Sequence, residues 1–132
     1  MRPLRSLALA FCLGFAAASA AVAQDRGLAA RLVGTWREYS PTDNLVSFSK
    51  AGEWRLYLRK GEIQNLKSLD GRWSVSDPAG TLAIVLMLGG KEKPMPPAKL
   101  SFEGEEMILT DEAGKQTRHR RHRGPLPAEF SW

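Results

Sequence analysis

The feature that most constrains this chain is its punctuation. From Leu32 onward, apolar and polar residues alternate in short runs, and most runs end at Gly, Pro, Asp or Asn. A period of two sends successive side chains to opposite faces of a strand, so each run carries one apolar and one polar face. The pattern predicts strands near Leu32–Ser40, Leu45–Ser49, Glu53–Lys60, Ser68–Ser76, Thr81–Leu88, Ala98–Glu103, Glu106–Asp111 and Lys115–Arg123. Lys50-Ala51-Gly52, Asp77-Pro78-Ala79-Gly80, Glu103-Gly104-Glu105 and Glu112-Ala113-Gly114 each hold a glycine that can supply the positive φ of a tight turn. Short turns favour an antiparallel up-and-down meander. A meander of about eight strands, apolar on one face throughout, buries that face and removes its edges by closing into a small barrel. The expected fold class is therefore all-β, with a short N-terminal helical turn within Asp25–Val33.

Alternation also predicts the inward face. Val46 and Phe48 share a side, as do Trp54, Leu56 and Leu58 against Glu53, Arg55 and Arg59. Trp73 and Val75 oppose Arg72 and Ser74, Leu100 and Phe102 oppose Lys99 and Ser101, and Met107 and Leu109 complete the set. Thr81–Leu88 is apolar on both faces, which predicts either a cover on its outer side or a contact surface. Gly89–Pro97 reads as the longest irregular loop, its three prolines keeping it out of a ladder. Gly124–Trp132 reads as a non-strand tail whose Phe130 and Trp132 dock on the barrel.

The first residues have a different character. Arg2 and Arg5 precede an apolar stretch, Ser6–Ala18, and Ala21-Val22-Ala23 is a small-x-small cleavage site. The expected organisation is a signal peptide over 1–23, a lead-in over 24–31, the barrel over 32–123 and the tail over 124–132. The apolar stretch is short for a membrane span and lacks a charged stop, so no transmembrane segment is expected in the mature chain. Phe11 before Cys12 argues against lipidation. A periplasmic or secreted bacterial protein follows, cleaved near Ala23.

Cys12 is the only cysteine. It leaves with the leader, which excludes disulfides, thiolate-bound metals and thiol catalysis from the mature domain. Nineteen Lys and Arg against fourteen Asp and Glu give a net charge of +5. Loss of Arg2 and Arg5 with the leader leaves +3, too little for a nucleic-acid coat.

Three Gly-x-Trp triplets, Gly34-Thr35-Trp36, Gly52-Glu53-Trp54 and Gly71-Arg72-Trp73, recur at about the spacing of one hairpin. Leu32-Val33-Gly34-Thr35-Trp36, followed by Phe48-x-x-x-Gly52-x-Trp54 and Gly71-x-Trp73, resembles the small bacterial lipocalin-like domains. That resemblance implies a barrel with Gly34 and Trp36 as structural residues at its closed end. It also implies an arginine from the last strand packed across Trp36, with Arg118 and Arg120 as the candidates. The later Thr-Asp-Tyr lipocalin signature is missing, so the resemblance implies a barrel more firmly than a ligand.

Within such a barrel Phe48, Trp54, Trp73 and Phe102 are the candidate lining of an apolar pocket. A filled or shallow interior accounts for the same four rings without a ligand, each burial contributing roughly 2–3 kcal/mol. Arg118, Arg120, Arg121 and Arg123 form a basic stretch suited to an acidic partner, but the acidic hairpin before it can neutralise them across the sheet. His119 and His122 fall on opposite strand faces and cannot share a metal. No metal site, cofactor or catalytic motif is expected. Two functions remain: a non-catalytic barrel binding a small apolar or amphiphilic molecule, or a cell-envelope protein-interaction module with a filled core.

Overall fold

The structure, a computed structural model, describes residues 27–76 and 80–132. The expected leader and most of the Asp77-Pro78-Ala79-Gly80 turn lie outside the described residues. A short helix over residues 27–32 leads into nine strands: β1 (Gly34–Ser40), β2 (Asn44–Phe48), β3 (Glu53–Tyr57), β4 (Ser68–Ser76), β5 (Thr81–Leu88), β6 (Lys91–Pro94), β7 (Ala98–Glu103), β8 (Glu106–Thr110) and β9 (Gln116–His122). Pairing is antiparallel throughout. The sheet closes because β1 pairs with both β2 and β9 while β4 pairs with β5, so eight strands form the barrel and β6 lies beside it.

The eight expected strands are all present, and β6 is an addition that corrects the reading of Gly89–Pro97 as loop. Its residues pair with the second half of β5, Leu88 opposite Lys91 through Val85 opposite Pro94. The first half of β5 pairs instead with β7, through Thr81–Lys99 and Leu82–Ala98. A proline blocks a ladder only where its missing N–H is needed. Pro94 ends a strand that pairs on one side only, so nothing is lost there. Of the two expectations for the outer side of Thr81–Leu88, a cover or a contact surface, the cover is lacking, since Ala83 and Met87 are exposed among the described residues.

The core follows the alternation. Leu32, Trp36, Val46, Phe48, Trp54, Leu82, Leu100 and Met107 form one buried cluster, with Trp73, Val75, Phe102 and Leu109 among those packed against it. Two glycines allow this closure. A Cβ on Gly71 would sit 2.2 Å from the Val85 carbonyl oxygen, so only a glycine lets β4 approach β5 this closely. Gly34 has φ +134°, and a Cβ there would meet the Arg121 guanidinium at 2.4 Å.

The C-terminal tail docks as expected, over the outside of the barrel. Leu45 is completely buried although it alternates with the inward Val46, and Leu58 and Phe130 are also buried outside the central cluster. The Arg37 and Arg59 guanidinium groups lie over the Phe130 ring, Arg37 pairs with Glu129, and Trp132 Nε1 donates to the Leu58 carbonyl at 3.0 Å. Arg37 and Arg59 both bind Asp43, and the Arg37 hydrogen bond holds its carboxyl below the usual carboxylate range.

Candidate functional site

The two ends of the barrel are built differently, and this decides what the candidate residues can do. The helix over residues 27–32 stands at the end where β1, β3 and β5 begin and β2, β7 and β9 finish. Leu32 drops its side chain into the core there, and its carbonyl accepts the Trp36 indole N–H at 2.8 Å. Arg31 lies over the Phe102 ring, and its guanidinium donates to the Gly104 carbonyl.

The arginine that packs across Trp36 is Arg121, neither Arg118 nor Arg120. Its guanidinium carbon lies 4.3 Å from the Trp36 ring centroid, and its two amino groups donate to the carbonyls of Val33 and Arg31 at 2.9 and 2.7 Å. The reason is register. Trp36 pairs with Arg121 across β1 and β9, and directly opposite residues share a face. Arg120 pairs with Arg37 on the outer face, and Arg118 reaches Ser40 only past a register shift. The cation thus joins the C-terminal end of the helix to the Trp36 face.

Of the four candidate lining aromatics, Phe48 and Trp54 are buried in the core, while Trp73 and Phe102 are half-buried. Phe48 ends β2, Trp54 is the second residue of β3 and Phe102 the last but one of β7, which puts all three toward the helix-capped end. Trp73 meets Phe48 edge-on at 5.6 Å, and its indole N–H donates to the Ser49 carbonyl in the β2–β3 turn. Phe102 tilts against Trp36 at 6.1 Å. The aromatics are therefore brought together as a packed floor.

The opposite end carries a different set. Leu56 near the end of β3, Leu69 near the start of β4, Leu86 near the end of β5 and Leu109 near the end of β8 are all half-buried and packed on the core. They face inward but remain partly open to water. Sequence reasoning found Leu56 and Leu109 as inward residues but did not separate them from the aromatics, because height along a barrel depends on strand stagger.

Between floor and mouth sits a polar pair that the sequence reading missed. Glu38 and His119 are opposite one another on β1 and β9, two residues along from Trp36 and Arg121, and both are buried. His119 Nε2 lies 3.8 Å from Glu38 Oε1, while Glu38 Oε2 accepts from the Thr42 backbone and hydroxyl. His119 Nδ1 makes no hydrogen bond among the described residues. Burial pushes the imidazole below its ordinary pKa, against the opposing pull of the Glu38 carboxylate and the Met107 backbone. The alternation of Trp36 and Glu38 was the available signal, but an acidic residue on an apolar face reads first as an interruption.

On the outer face, Arg118 pairs with Glu103 and Glu106, and Arg120 pairs with Glu106 while stacking over the Tyr39 ring at 4.2 Å. Tyr39 also hydrogen-bonds Glu106, which raises the phenol pKa and lowers that of the carboxyl. The acidic hairpin thus neutralises two members of the basic stretch. Arg121 is committed to the floor, and Arg123 is exposed beside it. His122 bonds the Pro125 carbonyl through Nε2, away from His119. Among the described residues, no group of three or more His, Cys, Asp or Glu gathers to hold a metal, and no helix is long and apolar enough to cross a membrane.

No family model matches the chain, and neither a curated protein nor a solved structure matches it.

Proposed function

We propose that this protein is an exported, lipocalin-like barrel that binds a small apolar or amphiphilic molecule through the end opposite the helix, without catalysing a reaction on it. The observation that carries this reading is the asymmetry of the interior. The floor is closed by Leu32, the Trp36–Arg121 stack and the packed aromatics. The mouth keeps Leu56, Leu69, Leu86 and Leu109 inward-facing yet half-buried. Inward apolar side chains that stay partly wet gain roughly 25 cal/mol for each Å² that a ligand covers. Phe48, Trp54, Trp73 and Phe102 then serve as the floor on which the ligand's apolar end rests. Export through the 1–23 leader, with delivery to a periplasm or the exterior, completes the proposal.

The test is titration with a neutral apolar fluorophore, N-phenylnaphthylamine, of the wild type and of Leu69→Gln and Leu86→Gln. Saturable enhancement that weakens about tenfold or more in either variant, with the fold retained by circular dichroism, is the expected result. Absence of saturable binding, or equal binding in all three proteins, overturns it. That outcome favours the filled-core module acting on an envelope protein.

A further inference from the structure

The large apolar side chains that remain exposed are not scattered. Ile63 (43 %), Met87 (37 %), Leu88 (41 %) and Met95 (40 %) are four of the five recorded among the described residues, Tyr39 being the other. All four belong to two neighbouring projections. The 58–67 loop joins β3 to β4, and the β5–β6 hairpin stands on the strand next to β4, with Leu86 opposite Gly71 and Met87 opposite Asp70. Both project from the barrel end opposite the helix. Met95 follows β6 and donates its N–H to the Ile84 carbonyl, which keeps it on the hairpin.

Lysines interleave with these apolar residues. Lys60 and Lys67 flank Ile63 in the loop, and Lys91 and Lys93 lie between Leu88 and Met95. Among the described residues Lys60, Lys91 and Lys93 form no ion pair. The acids of the same segments are fewer: Glu92 pairs with Arg72, and Glu62, which accepts the Arg59 backbone N–H within the loop, is outnumbered by the lysines. The rim is therefore apolar at its tips and cationic between them.

We propose that this rim, formed by the 58–67 loop and the β5–β6 hairpin, docks on the surface of an anionic lipid bilayer. Two properties favour a bilayer over a protein partner. Ile63 lies in the 58–67 loop and Leu88 borders the Gly89–Gly90 turn, so both stand at projections that can enter a headgroup layer, with Met87 and Met95 on the hairpin behind them. The interleaved lysines meet lipid phosphates at the depth where the apolar tips reach the acyl boundary. The binding is peripheral and reversible, and it holds whether or not the barrel carries a ligand.

The experiment is flotation of the intact protein with vesicles of phosphatidylcholine containing phosphatidylglycerol, and with phosphatidylcholine alone. Every variant is confirmed by intact mass to share one N-terminus. The expected result is association with the anionic vesicles that weakens with added salt and falls about fivefold for each of Lys91→Gln and Lys93→Gln. Leu88→Asp and Ile63→Asp lower it further, while Lys99→Gln on β7 leaves it unchanged. These positions are exposed, so the variants should melt with the wild type. Equal association with both vesicle types, association indifferent to the rim substitutions, or no flotation at all overturns the proposal. Loss of probe binding in the preceding test leaves it standing.

Discussion

The helix-capped end and the mouth of this barrel are made from the same strands but solve opposite problems. At the capped end, Leu32, Trp36, Phe48 and Trp54 are removed from water, with Trp73 and Phe102 half-buried against them. Trp36 is only 1 % exposed, its indole N–H is bonded, and a guanidinium covers its face. At the mouth, side chains of similar hydrophobicity stop short of burial, and Ile63 in the 58–67 loop and Met87 and Leu88 at the end of β5 are exposed beyond them. The difference teaches that one alternating pattern can encode a more fully packed half and a half-wet one, distinguished by which strand end a residue occupies.

The contrast can be broken by substitution. Trp36→Ala removes a buried ring, an N–H bond and the platform beneath Arg121, and should cost about 3–5 kcal/mol in urea unfolding. An effect below about 1 kcal/mol would mean that the capped end is not where stability resides. Arg121→Met keeps much of the stem but abandons the Val33 and Arg31 carbonyls, and should cost about 1.5–3 kcal/mol. At the mouth, Leu69→Ala should cost only about 1 kcal/mol, since the side chain is already half wet, while weakening probe binding. A cost as large as that of Trp36→Ala would erase the distinction between the ends.

The polar pair offers a test by pH. His119 is held neutral by burial, with its pKa below the ordinary 6.5. The unfolded chain therefore takes up a proton at a higher pH than the folded one. This contribution to stability is complete above pH 6.5 and declines as pH falls from there toward the depressed folded pKa. His119→Gln should flatten that limb of the stability profile, read as urea midpoints across the window. The smallest effect belongs to the outer face. Arg55 and Asp70 pair at 2.7 Å with about half of each side chain exposed, so Asp70→Asn should move stability by no more than about 0.5 kcal/mol.

Much of the fold was legible because a period of two reports directly on the barrel's faces. Trp36, Trp54 and Trp73, marked by the Gly-x-Trp recurrence, all reach or pack on the core. What was hidden depends on relations between strands. Arg121 could not be distinguished from Arg118 and Arg120 without the β1–β9 register. The grouping of aromatics at one end and leucines at the other needs the stagger of the whole sheet. β6 was masked by prolines whose effect reverses at an edge. Glu38 and His119 look unrelated along the chain and meet only because β9 returns beside β1.

The most direct measurement is the intact mass, under non-denaturing conditions, of the protein recovered from its native cells. The account predicts a discrete extra mass of a small molecule that disappears on denaturation and is missing from Leu86→Gln. A bare polypeptide mass from that native source would contradict it and make the mouth a contact surface without a cargo.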